Sequence, residues 1–178
     1  MTAPAMRADG PGWHVVIRHE EHTVYFLDYE DDAGTRSSVR FDPREDGPNV
    51  YLPEALSSEG EILDRLATAL DGFFPHDSWY LWTATWPRFP LRWKGAHDHV
   101  VEHWPPSRLQ YGERGRGIDL VCEPLGSDPS GRPRVRVHLP PVLQWAFPPG
   151  AGALDAAERA RVVERLAAST AVSVELVP

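Results

Sequence analysis

Residues 97–103 bring three of the eight histidines together with a glutamate: His97, His99, Glu102 and His103. Neutral imidazole is a good zinc ligand, and a nearby carboxylate can take a proton from a metal-bound water. If His99-Val100-Val101-Glu102-His103 is helical, His99 and His103 stand at i and i+4 on one face and can meet a single Zn²⁺, with Glu102 as the base. If the segment is extended, His97 and His99 share a face and His103 joins from a turn, which leaves an open position on a tetrahedral metal. The plainer alternative is a polar segment whose histidines make ordinary hydrogen bonds.

Letter for letter, HVVEH resembles the H-x-x-E-H motif of the inverzincin zinc peptidases. The resemblance implies His99 and His103 as ligands, Glu102 as base and a third ligand downstream, commonly a glutamate, for which Glu158 and Glu175 are available. It covers five of 178 residues. Gly95 before the segment and Pro105-Pro106 after it hold any helix there to about two turns.

The same stretch carries Trp79, Trp82, Trp86, Trp93 and Trp104, five of the seven tryptophans. Each indole must bury much area and still find a partner for its N–H. With 79–86 read as a strand, Trp79 faces one way and Trp82 and Trp86 the other. That describes a central strand covered on both faces, or an aromatic pocket of Trp82, Trp86 and Trp93 open to a small ligand or a partner, since Trp and Arg are enriched at binding hot spots. Cys122 lies in an apolar strand and reads as an inert small hydrophobe. His19-Glu20-Glu21-His22 reads as a solvated turn, and Gly112-Glu113-Arg114-Gly115-Arg116-Gly117 as a hairpin turn. No G-x-G-x-x-G fingerprint, P-loop or G-x-S-x-G elbow occurs.

The net charge of −8 is unevenly spread. Residues 1–75 hold 15 acids and 6 arginines, whereas residues 76–178 hold 11 acids and 12 bases. Asp28, Glu30, Asp31 and Asp32 lie within the acidic part and lack the EF-hand spacing. Such a face is either a solvated surface or one that attracts a partner with a basic surface. It argues against direct nucleic-acid binding, despite the local basic stretch of Arg88, Arg92, Lys94, Arg108, Arg114 and Arg116. A single cysteine precludes an intramolecular disulfide and fits a reducing compartment. No apolar run approaches the ~18 residues of a membrane span, and residues 1–10 lack a secretory apolar core. The expectation is a cytoplasmic protein that does not enter a membrane.

These residues must be positioned by short elements, because 18 prolines punctuate the chain. Residues 1–12 are expected to be a disordered lead, and 13–178 a single domain. Strands are expected at 13–18, 23–29 and 37–41 as an antiparallel meander, with a short extended segment at 50–52. Ser58 and Glu61 read as a capping box for a helix burying Ile62, Leu66, Ala69, Leu70 and Phe73. The proline-containing stretch 87–117 is expected to be irregular. Strands at 118–123 and 134–139 are expected to pair, and Asp155 with Glu158 to open a second helix to Thr170, before a last strand at 172–177. The fold class expected is α+β: a mainly antiparallel sheet of about six to seven strands packed by two principal helices.

The tail (Arg134 to Leu139, Pro140-Pro141, Trp145, a Pro/Gly loop, Asp155-Ala156-Ala157-Glu158-Arg159 opening a helix, and the closing Val172–Val177 strand) resembles bacterial polymorphic-toxin immunity-type domains. That resemblance implies a cytoplasmic inhibitor that masks a toxin's surface or active site, and the acidic half suits a cationic toxin. The reading is therefore a non-catalytic protein-binding module with no cofactor. The alternatives are a zinc-dependent hydrolase using His99, Glu102 and His103, with His97, His99 and His103 as metal ligands, or a small-ligand carrier with an aromatic pocket.

Overall fold

Alternation of apolar and polar side chains, the mark of a strand buried on one side, runs through residues 13–41 and builds the first sheet. The computed structural model describes residues 5–20, 24–41, 43–44 and 47–178. Strands β1 (Met6–Gly10), β2 (Trp13–Glu20), β3 (Val24–Asp31) and β4 (Arg36–Phe41) form an antiparallel meander in chain order. Val15, Ile17, Leu27, Tyr29, Val39 and Phe41 are buried on its inner face, in the register Val15↔Tyr29 and Ile17↔Leu27↔Val39. The alternate residues form the outer face. Within the segment 1–12 expected as a lead, Met6–Gly10 is strand β1: Pro11 and Gly12, the latter at φ +70, supply the residues a tight turn demands, and Met6–Gly10 zips back onto Ile17–Trp13.

A second sheet follows in the order β5 (Pro43–Arg44), β6 (Gly47–Leu52), β7 (Trp79–Thr83), β8 (Pro90–Lys94). Strands β6 and β7 are parallel, because α1 (Glu54–Ser57) and α2 (Gly60–Phe73) carry the chain back between them. Helix α2 buries Ile62, Leu63, Leu66, Ala69 and Leu70, and each full leucine or isoleucine burial contributes about 1.5–3 kcal/mol. The expected Ser58/Glu61 capping box does not form. Glu59 occupies the N-cap without a side-chain bond, and Glu61 instead accepts from Arg65 one turn along at 2.5 Å. Gly47 is required where β6 begins, since a Cβ there would stand 1.6 Å from the Ser78 carbonyl oxygen.

The chain divides into two compact units, Met1–Ala96 and His97–Pro178. The second unit holds the sheet β11-β10-β9, made of β9 (His99–Trp104), β10 (Arg108–Glu113) and β11 (Arg116–Val121). It also holds the sheet β12-β13-β14, made of β12 (Glu123–Ser127), β13 (Pro133–His138) and β14 (Ser173–Val177). Strands β13 and β14 are parallel, with α3 (Ala156–Ala167) between them in the chain. Here the expected capping box is complete: the Glu158 N–H donates to Asp155 at 2.8 Å and the Asp155 N–H to Glu158 at 3.1 Å. The core of this unit joins Val101, Leu109, Tyr111, Ile118 and Leu120 to Val135, Val137, Val162 and Leu166.

Among the described residues the fold is thus α+β and mainly antiparallel, as expected, but its strands are spread over four small sheets rather than one of six to seven strands, and the short α1 adds a third helix to the two principal ones, α2 and α3. The stretch 87–117, expected to be irregular, contains β8, β9, β10 and the start of β11. Its prolines sit where a ladder needs no N–H: Pro90 opens β8, while Pro87, Pro105 and Pro106 lie in connections. The pairing expected between 118–123 and 134–139 is also replaced. Strand β11 pairs with β10, and β12 takes the place beside β13. Among the described residues no helix is long and apolar enough to cross a membrane.

Candidate functional site

The outer face of the meander carries an open groove of about 550 Å³. Period-2 alternation puts its lining there: His14, Val16 and Arg18 from β2, Asp28 and Glu30 from β3, and Arg36 and Ser38 from β4. Cross-strand register sets Glu30 between His14 and Arg36, and Asp28 between Val16 and Ser38. Val16 thus contributes an apolar patch among charged neighbours.

Every carboxylate in the groove has a partner. Asp28 accepts from Arg18 Nε and Nη2, along one edge of the guanidinium, and from the Ser38 hydroxyl at 2.5 Å. Partial burial pushes the Asp28 carboxyl up, and the Arg18 and Ser38 hydrogen bonds outweigh that, so its pKa ends below the ordinary value. Glu30 accepts from Arg36 at 2.5 Å and faces His14 Nε2 at 3.8 Å. Arg18 also reaches Glu20 at 2.5 Å and lies over the Phe26 ring at 5.0 Å. These pairs are partly open to water: the side chains are 29% exposed at Asp28, 39% at Glu30 and 76% at Arg36.

The four acids expected to act together are separated by the strand. Asp28 and Glu30 face the groove. Asp31 has opposite parity, and its side chain is only 5% exposed. It accepts from the Tyr29 hydroxyl and the Thr35 amide, both at 2.9 Å, and closes the turn before β4. Burial raises its pKa, but those hydrogen bonds and Arg65 hold it below the usual range. Asp32 sits in the same turn, where its amide donates to the Gly12 carbonyl at 2.8 Å. Neither belongs to the groove.

The tryptophans expected to line a pocket are also divided. Trp82 is 2% exposed, with its N–H donated to Asn49 at 2.8 Å; it is a core residue with a satisfied polar handle. Trp93 pairs across β8 with Tyr80 on β7. Trp86 lies beyond the end of β7 and is 47% exposed. Trp79 is buried and donates to Asp71 at 2.9 Å.

The H-x-x-E-H segment is strand β9, not a helix. Alternation sets His99 and His103 on one face and Glu102 on the other, and four residues of strand span roughly 13 Å, too far for two imidazoles to share an ion with bonds of about 2 Å. The β-branched Val100-Val101 pair and the prolines at 105–106 favour the extended form. His97 and His99 do approach, with ring centroids 5.4 Å apart, and Asp98 meets His99 Nδ1 at 3.2 Å. Yet among the described residues no three His, Cys, Asp or Glu side chains are placed to hold a metal ion. What the structure changes is the helical geometry supposed for His99, Glu102 and His103, and the turn supposed for His103: all three lie in strand β9, while His97 precedes it.

A charged centre that the sequence reading passed over lies beside this strand. Arg114 and Gly115 both have positive φ, as a two-residue type I′ hairpin requires, and the hairpin sets Glu113 opposite Arg116. Glu113 is 0% exposed and accepts from the Tyr111 hydroxyl at 2.7 Å, from Arg161 at 2.6 and 3.2 Å, and from Arg165. Arg165 also reaches Asp98 at 2.7 Å, and Arg116 reaches Glu158 at 2.8 Å while lying over Trp145 at 4.1 Å. Burial raises the Glu113 pKa, but the Arg161 and Tyr111 hydrogen bonds and both arginines hold it below the ordinary value. Burial, helped by Glu113, raises the Tyr111 phenol. His99 stacks on Tyr111 at 5.9 Å. Arg161 and Arg165, one turn apart on one face of α3, were the available signal: like charges at i and i+4 need an anion between them. With every charge matched, this centre pins α3 to the sheet and leaves no unengaged carboxylate.

No protein-family model matches the chain, and neither does any curated protein or solved structure.

Proposed function

We propose that the protein is a non-catalytic protein-binding module that receives a partner with a basic surface on the outer face of its N-terminal meander. The observation that carries this reading is the groove in which Asp28 and Glu30 are held by partly exposed ion pairs, with the Ser38 hydroxyl added at Asp28. Exposed pairs contribute ~0–1 kcal/mol each, so a partner's cations can replace the resident ones at small cost. The unit Met1–Ala96 carries 16 acids against 9 bases, a field that raises the encounter rate with a cationic protein. The tail's resemblance to immunity-type domains supports the narrower reading of a cytoplasmic inhibitor of a cationic toxin.

The test is co-expression with the product of the neighbouring gene. A stoichiometric complex is expected, dissociated by raised salt and weakened by Asp28→Asn with Glu30→Gln. A complex indifferent to both changes, or a chain that stays a partnerless monomer at micromolar concentration, would refute the proposal.

A further inference from the structure

Resting on that reading, we infer that the groove takes one extended segment of the partner, whose lysines or arginines alternate so that successive cations lie over Asp28 and Glu30. Three features of the meander point to this occupant. Asp28 and Glu30 are two residues apart on β3, so their Cα atoms are separated by roughly 6.7 Å. An extended chain presents its own i and i+2 side chains on one face at that same spacing. The width is set by three strands: His14 and Arg18 of β2 form one wall, Arg36 and Ser38 of β4 the other. With neighbouring strands about 4.8 Å apart, the walls stand under about 10 Å apart, whereas a helix with its side chains needs about 10–12 Å.

The third feature is competition. The Arg36 guanidinium holds Glu30 while its side chain is 76% exposed. A partner's cation arriving over Glu30 displaces Arg36 into water, where it is readily hydrated. Arg36 is then an internal competitor, and removing it should strengthen the binding of a cationic segment. An acidic segment would behave oppositely, because Arg36 would be one of its anchors.

The test uses the full chain and a fluorescent peptide of alternating arginine and threonine, followed by anisotropy at low salt. Binding is expected, with Glu30→Gln weakening it about fivefold or more and Arg36→Ala tightening it about threefold. A peptide of the same composition with its arginines in one block should bind at least about fivefold more weakly. Equal binding of the two arginine peptides, or weaker binding by Arg36→Ala, overturns the alternating segment but leaves the basic-partner reading standing. If a peptide of alternating glutamate and threonine binds as well as or better than either, or if no peptide binds, both proposals fall; circular dichroism of each variant verifies the fold.

Discussion

Glu30 and Glu113 accept hydrogen bonds from arginines in the two units of one chain, and their surroundings give those bonds opposite meanings. Glu30 is 39% exposed and its partner Arg36 is 76% exposed, so both ions remain in contact with water while paired. Glu113 is wholly buried and gathers Arg161, Arg165 and the Tyr111 hydroxyl. Desolvating an ion costs several kcal/mol, which only a full set of partners offsets. The buried site is therefore closed: breaking it leaves uncompensated charge inside the unit. The surface site is open to exchange, because water already shares its charges. Burial, more than the identity of the pair, separates a structural carboxylate from one that can meet a partner.

The largest expected effect tests that contrast by truncation. Glu113→Ala strands Arg161 and Arg165 against the core and should lower stability by about 3–5 kcal/mol, read as a shift in the urea midpoint. Glu30→Ala should change it by less than about 1 kcal/mol. Similar losses in the two variants would dissolve the distinction.

Acidification sharpens it next. The folded pKa of Glu113 lies below its ordinary value, so its contribution is complete above the unfolded glutamate value of ~4.3 and is lost as the pH falls through the folded value. The urea midpoint should fall on acidification below about pH 5, and Glu113→Gln should flatten part of that slope. Asp128 offers a local control in the same unit. The Ser130 hydroxyl, with the Arg132 amide and guanidinium, brings its pKa down to about 2. An NMR titration should find its carboxyl still ionised when exposed aspartates have protonated; a midpoint near the model-peptide value of ~3.9 would contradict the turn geometry.

How much of this was legible in the sequence depended on whether a signal was local. Strands β2, β3 and β4 and the start of α3 were readable, because period-2 alternation and the Asp155/Glu158 box are written within a few residues. The N-terminus of α2 was misread since Ser58 and Glu61 fit the same box, but Glu61 found Arg65 instead. The H-x-x-E-H letters carry no secondary structure of their own, and β-pairing with β10 decided the conformation that the letters left open. Pairing partners were the least legible level: β11 could have paired with either hairpin neighbour, and the choice rests on the Arg114-Gly115 turn. Asp28 and Glu30 were found as candidates, yet composition could not tell them from Asp31, whose parity turns it away from the groove. Glu113 was legible only as part of a hairpin turn, because its arginines come from 48 and 52 residues away.

Salt should separate the two sites once more, with a smaller effect. Exposed pairs are screened over a Debye length of about 10 Å at 0.1 M ionic strength, and buried ones much less. Raising salt from low to about 0.5 M should therefore leave most of the Glu113→Ala penalty in place, while the small Glu30→Ala penalty falls within error. Arg36→Ala gives the finest cut. With its guanidinium largely in water, the loss in stability should stay within about 0.5 kcal/mol at any salt concentration. A larger loss, measured by urea denaturation beside wild type, would mean that the Arg36–Glu30 pair helps hold β3 to β4. The groove would then be a fixed part of the sheet's structure rather than a surface free to exchange its cations.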